Sequence, residues 1–254
     1  MPLLLSLRSE ILKSKRTFCW YLTIICAAAL PIMFVADVCI DGVTSETMRD
    51  PWNAFFSTGF MALNLVIFPM FIVLICTLLP QLEYRNNTWK QVFTSPQKMF
   101  DIYLSKFLLI QIMILVFFVA FNTLMFSAAL TIHFIDPKVG FINYSLDGEE
   151  LLIYNLTTYA SILAITVIQF IAGLRFKSFI VPVIIGFVLW VSAAAMVFQT
   201  QSTMVTFFPY CYPILSAFPQ FKISLSTILL NSAVMAAVFL AFGFAWFNQR
   251  IIKA

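Results

Sequence analysis

The chain lays twelve of its fifteen Lys and Arg residues on one side of six long apolar runs, and eight of its eleven Asp and Glu residues on the other. The runs are Phe18–Ile40, Trp52–Leu79, Phe107–Phe134, Leu151–Leu174, Phe179–Phe198 and Ile223–Phe247. Each supplies about the twenty apolar residues needed to cover a ~30 Å hydrocarbon core. One side collects Arg8, Lys13, Lys15, Arg16, Arg85, Lys90, Lys98, Lys106, Arg175, Lys177, Arg250 and Lys253; only Arg49, Lys138 and Lys222 fall on the other. Glu10, Glu83 and Asp101 bring the first side to +9 and leave the second at −5, which together give the chain's +4. Sorting of this kind has a physical cause only if the runs cross a bilayer. The positive-inside rule then puts the basic side, with both termini, in the cytoplasm.

At 62% hydrophobic and 10% charged residues, the chain falls far from soluble domains, in which about a quarter of residues carry charge. The expected fold is all-α and polytopic, one transmembrane domain over 1–254 with six spanning helices. The basic residues sit beside membrane ends, where they set topology and meet anionic lipid, so no nucleic-acid partner is expected. The first run follows basic residues as a signal peptide would, but it is longer than a 7–15-residue signal core and no small-x-small cleavage site follows. Val38 before Cys39 is also not the small residue that a lipid-attachment cysteine favours. A retained span is therefore expected. Upstream, Leu3, Leu4, Leu7, Ile11 and Leu12 recur at helical spacing among Arg8, Lys13, Lys15 and Arg16, predicting an amphipathic helix over 1–17 along the cytoplasmic interface.

Chemistry-bearing motifs are missing. Cys19, Cys26, Cys39, Cys76 and Cys211 form no CxxC pair, and the lone histidine, His133, ends the third run, so no zinc site is expected. Cys39 and Cys211 both fall toward the exterior, where a bond between them is conceivable, but small buried apolar residues are the simpler reading. There is no GxxxxGK[ST], no GxSxG and no HExxH, and His133 with Thr131 makes a poor catalytic pair. No catalytic residue is assigned. The runs also lack interior charges of the kind that ion-coupled transporters use, and no internal repeat is visible. Asn64, Gln111, Asn122, Gln169 and Asn231 read as interhelical hydrogen-bonding residues, with a substrate path as the alternative.

The stretch Pro80–Lys106, joining the second run to the third, carries most of the functional signal. Trp89, Val92 and Phe93 fall at i, i+3, i+4, predicting a short amphipathic helix with Asn87 as N-cap. Ser95–Pro96 reads as a second N-cap with proline in the first helical position, restarting a helix into the third run. The loop therefore presents an exposed aromatic beside the charges of Glu83, Arg85 and Lys90. Far along the chain, Pro209, Pro213 and Pro219 are too close for one spanning helix, while Phe207, Phe208, Tyr210, Tyr212, Ile214, Leu215 and Phe218 are too apolar for a solvated loop. Short helical pieces tucked against neighbouring spans satisfy both constraints. Two roles follow for this segment: an external gate at Phe208, Tyr210, Tyr212 and Phe218, or an interfacial anchor for the sixth span.

Across this pattern the chain resembles the ABC-2 class of ABC transporter permeases, especially the lantibiotic and bacitracin immunity type. The resemblance is carried by Glu83, Arg85, Asn86, Asn87, Thr88, Trp89, Lys90, Pro96 and Lys106, by the N-terminal helix and six runs, and by the proline- and aromatic-rich stretch 207–219. It implies that the loop is a coupling helix whose Glu83, Arg85, Asn87, Thr88, Trp89, Lys90 and Phe93 meet a separate ATP-binding subunit. It also implies short re-entrant helices between the last two spans, and a second permease as homodimer or heterodimer. ATP and Mg would then belong to the partner subunit, with no cofactor on this chain. The implied setting is the bacterial inner membrane, and the implied activity is export of a hydrophobic or amphipathic substrate such as a peptide antibiotic, giving self-immunity, or a lipid-like molecule. The alternative is a non-transporting scaffold or sensor that docks a cytoplasmic protein through 80–106.

Overall fold

Apolar runs become helices in lipid because every backbone N–H and C=O must find its partner within the segment. A computed structural model describes residues 2–41, 50–86, 89, 97–200, 203–218 and 224–251, and among these there is no β-strand. Helix α1 (Pro2–Ser14) ends in a tight turn at Arg16, whose φ of 66° is left-handed, and α2 (Phe18–Asp41) follows. A side chain in that region costs about 1 kcal/mol or more. Helix α3 (Pro51–Ala62) starts on the Asp50 carboxylate, which accepts from the Asn53 N–H, with Pro51 in the first turn. It runs through a π-helical turn, Leu63–Ile67, into α4 (Phe68–Arg85). Helix α5 (Met99–Ile135) is the longest, and α6 (Gly148–Arg175) starts on the Asp147 side chain, which accepts from the Glu149 and Glu150 N–H groups. Helix α7 (Ile180–Ala195) continues as a π-turn, Met196–Thr200. Two 3-10 turns, Thr203–Phe207 and Pro209–Cys211, lead into the short α8 (Tyr212–Ala217), and α9 (Leu225–Ile251) closes the chain.

Six of these helical stretches are long and apolar enough to cross a membrane: Phe18–Ile40, Pro51–Arg85, Met99–Ile135, Gly148–Arg175, Ile180–Gln199 and Leu225–Gln249. They correspond one for one to the six apolar runs. The third departs most from expectation, starting at Met99 rather than Phe107. Its 37 residues span about 55 Å, well beyond a ~30 Å core, so its first turns carry Asp101 and Lys106 out on the basic side. The expected caps at Asn87 and Ser95–Pro96 lie outside the described residues.

Helix α6 is the hub, packing against α4 and α9, while α1 and α2 both lie on α5. An aromatic stack fills the centre: the Phe68 and Phe71 rings sit 4.9 and 4.6 Å from Phe117. Two prolines shape the packing of the second span. Pro69 has no N–H for the Leu65 carbonyl, which lies in the π-turn, and the Trp190 indole N–H donates to it from α7 at 2.8 Å. Pro80 likewise deprives the Cys76 carbonyl of its in-helix donor. Gly173 of α6 backs directly onto that carbonyl: a Cβ there would lie 2.3 Å from the oxygen. Each of the five polar span residues hydrogen-bonds another element. Asn64 donates to Thr158 Oγ1 and Asn122 to Asn155 Oδ1; Gln111 accepts from the Tyr159 hydroxyl, Asn231 donates to the Thr206 carbonyl, and Gln169 bonds three partners.

Candidate functional site

The N-terminal helix turns its polar side inward. Ser6, Glu10 and Ser14 are buried, whereas Leu4, Leu5 and Leu12 are 59–66% exposed. Leu7 and Ile11 pack on the core beside them, so the inner side of α1 is mixed, and α5 supplies the reason for its polar half. Ser6 Oγ meets Ser105 Oγ at 2.9 Å, and one turn further along α1 the Glu10 carboxylate accepts from Lys106 Nζ at 2.9 Å. Lys106 also donates to Glu83 at the end of α4, at 2.6 Å. Lys13 then bridges back, 2.7 Å from Glu10 and 3.1 Å from Glu83.

These contacts make a four-membered ring of alternating charge, closed and neutral overall. Glu10, Glu83 and Lys106 are 8, 3 and 5% exposed, so three of the four charges have left water. A buried carboxylate or ammonium costs several kcal/mol unless it is paired, and here every charge has two opposite neighbours. Burial pushes the Glu10 carboxyl upward, but the Lys106 and Lys13 ammonium groups outweigh it and hold the group below its ordinary value. Burial pulls the half-exposed Lys13 downward, and its bonds to Glu10 and Glu83 outweigh that and raise it.

Trp89 closes the cluster. Lys106 Nζ sits 5.5 Å from its ring centroid, within cation–π range, and the ring packs on Tyr84 and Phe247 at 5.2 and 6.2 Å. The sequence predicts Trp89 as an exposed aromatic beside the charges of Glu83, Arg85 and Lys90. The indole is instead half-buried against the helix ends with Lys106 over its ring, and Glu83 is buried because the Lys106 ammonium, itself out of water, is paired with it. Arg85 is exposed, and Asn87, Thr88, Lys90 and Phe93 lie outside the described residues. The end of α4 is also tied to the end of α6, since the Tyr84 hydroxyl donates to the Leu174 carbonyl at 2.7 Å and the Gln81 amide to the Phe176 carbonyl at 3.0 Å.

The segment before α9 is a second assembly. Tyr210, Cys211 and Tyr212 are buried, whereas Phe208 and Phe218 are half-buried, Phe208 beside Tyr210 and Phe218 edge-on to Phe198. The Tyr212 hydroxyl donates to the Thr206 carbonyl at 2.9 Å, and the Tyr210 hydroxyl reaches Gln169 Oε1 at 3.0 Å. Gln169 lies six residues before Arg175, about 9 Å from the basic end of α6. Tyr210 therefore enters far from the acidic ends of the spans that flank it. Cys39 and Cys211 are both free, the first exposed and the second against the Ala193 carbonyl.

Neither assembly holds ligand sets for a metal: among the described residues no three His, Cys, Asp or Glu side chains group together. Both can instead transmit displacement. Sequence reasoning passed over Glu10 and Lys13 as members of the site; the available signal was an acidic residue three positions before a lysine in an otherwise basic helix. Residues 6–193, well over half the chain, match the family model described as ABC-2 family transporter protein. No curated protein matches the chain, and no solved structure does.

Proposed function

Because the chain belongs to the ABC-2 family of transporter proteins, we propose that it is the permease subunit of an ATP-driven exporter that receives its stroke through the buried charge cluster. The family implies a separate ATP-binding subunit, and the polypeptide between α4 and α5 is where that subunit presses. The observation that carries this reading is the closed ring of Glu10, Lys13, Glu83 and Lys106. It fixes α1 to both roots of the same loop, so a push on the loop cannot move one helix alone. Glu83 and Trp89 form the inner side of this joint, and Arg85, with Asn87, Thr88, Lys90 and Phe93 of the loop outside the described residues, is assigned to contact with the ATPase. With the basic side in the cytoplasm, the leucine side of α1 rests in the inner leaflet as an interfacial helix.

The short helices around Tyr210 are re-entrant pieces that reach from the external side toward the basic ends of the spans and close the path between the two, with Phe208, Tyr210, Tyr212 and Phe218 as the gate. The substrate is hydrophobic or amphipathic, a peptide antibiotic in self-immunity or a lipid-like molecule, in keeping with spans whose buried interior offers aromatic and uncharged polar groups. A second permease, a like or sister chain, completes the path in a bacterial cytoplasmic membrane.

The test is purification of the membrane complex with its ATP-binding subunit, followed by ATP-driven movement of an amphipathic peptide in vesicles. ATPase copurification without transport would favour a docking scaffold instead. Orientation is tested separately. Cysteines placed at Asp147 or Glu149 should react with an impermeant reagent in intact cells, and those at Gln97 or Asn248 should not; external labelling at Gln97 would overturn the topology.

A further inference from the structure

Gln169 is fully buried and meets three different elements. Its Nε2 donates to the Pro182 carbonyl of α7 at 2.7 Å and lies 3.4 Å from Thr77 Oγ1 of α4. The Thr77 hydroxyl has already given its proton to the Val73 carbonyl at 2.7 Å, so toward Gln169 it can only accept. A carbonyl can only accept too. Both N–H groups of the amide are thereby committed, which fixes the amide orientation and leaves Oε1 as a pure acceptor. The group it accepts from is the Tyr210 hydroxyl. Gly186 makes the space: a Cβ at that position would lie 2.6 Å from Val73 and 2.9 Å from Gln169 Oε1.

We infer that Gln169 is the latch that holds the re-entrant segment shut, so that opening the exit requires breaking the Tyr210–Gln169 hydrogen bond. This rests on the gate reading above. Three features make this bond the one that yields. It is the single hydrogen bond from Gln169 to the segment, it joins two neutral groups, and its amide partner is held rigidly by α4 and α7. Rotation of the Tyr210 side chain frees the segment while Gln169 keeps its bonds to the spans. Motion of α4, which carries both Thr77 and Glu83, also moves the amide that Tyr210 must find. Gln169 touches no substrate in this scheme; it is a positioning residue.

The chain carries its own reporter. Cys211, next to Tyr210, is a free and fully buried thiol, so its alkylation reads the opening of the segment. The experiment uses membrane vesicles holding the complete transporter. A maleimide is added with and without ATP, and modification of the Cys211 peptide is followed by mass spectrometry. Tyr210→Phe removes this bond alone, whereas Gln169→Met removes it together with the bonds to Pro182 and Thr77. Loss of one buried neutral hydrogen bond corresponds to an opening equilibrium shifted by roughly fivefold to tenfold. Cys211 should therefore label roughly fivefold to tenfold faster without ATP in Tyr210→Phe and at least as fast in Gln169→Met, and the double variant should be no faster than Gln169→Met alone. In the wild type, ATP turnover should raise labelling. If ATP raises wild-type labelling but neither variant changes the resting rate, the segment is a gate and Gln169 is not its latch. If Cys211 is never labelled faster with ATP, the gate reading itself fails. Additive effects of the two substitutions would show that they act through general loosening, and would also overturn the latch.

Discussion

The two assemblies hold helices together by opposite means. At the basic end, four full charges alternate around a ring, three of them out of water. Around Gln169, every contact is a neutral hydrogen bond. Removing one partner of a buried ion pair costs about 3–5 kcal/mol because a bare charge remains, whereas a neutral hydrogen bond is worth about 1 kcal/mol net. The charged assembly is therefore a joint that must stay closed, and the neutral one can open and reseal within a working cycle. A transporter needs both, stiff where force enters and yielding where the path must part.

The largest effect is expected from Lys106→Met. It leaves Glu10 and Glu83 facing each other with only the half-exposed Lys13 between them, and should destabilise the protein by about 3–5 kcal/mol. Thermal unfolding in detergent, with protease cleavage of a released α1, would measure it. A cost no larger than that of Tyr210→Phe would abolish the contrast between joint and latch. Next comes Trp190→Phe, which leaves the Leu65 carbonyl without the donor that Pro69 cannot provide. About 1–3 kcal/mol is expected, again by thermal unfolding. Lys13→Met should do least, because its side chain is 47% exposed and water screens what it contributes; about 1 kcal/mol or less is expected.

Acidity sharpens the same contrast. The Glu10 carboxyl is held below its ordinary 4.5, so its contribution is present above that pH and is lost as pH falls through the lowered value. Lys13 is raised above its ordinary 10.5, so its contribution is present below that pH and is lost only in stronger base. Attachment of α1, followed by protease protection, should stay level from about pH 5.5 to 9 and fail below the Glu10 range. The Tyr210–Gln169 contact should show no such acid limit. Loss of α1 protection near pH 7 would count against the ring as drawn.

Much of the fold was legible from hydropathy and charge, because lipid forces each span to satisfy its own backbone and so to announce itself as an apolar run. The stretch around Glu83 and Trp89 also stood out, as an aromatic at helical spacing beside mixed charge, but its pairing did not show. The pairing of Lys106 with Glu10 was not legible: it joins residues 96 positions apart, and in sequence Glu10 is one acid among basic neighbours. The inward turn of α1 was hidden for a related reason. Its leucines look like a core-facing stripe, but only Leu7 and Ile11 pack inward, and a buried cation on α5 draws Glu10 in beside them. Gln169 stood out as polar within a span, but three partners from three elements are a property of the packing, not of any local pattern.

The central claim is that ATP-driven motion enters through the joint formed by α1, the end of α4 and the start of α5. It is tested most directly by transport in vesicles with the paired substitutions Glu83→Ala and Trp89→Ala, scored beside membrane insertion and ATPase copurification. The account predicts a protein that inserts and still copurifies with its ATPase but moves no substrate, since the end of α4 has lost its buried anion and Lys106 the ring beside it. Full transport by that double variant would contradict it.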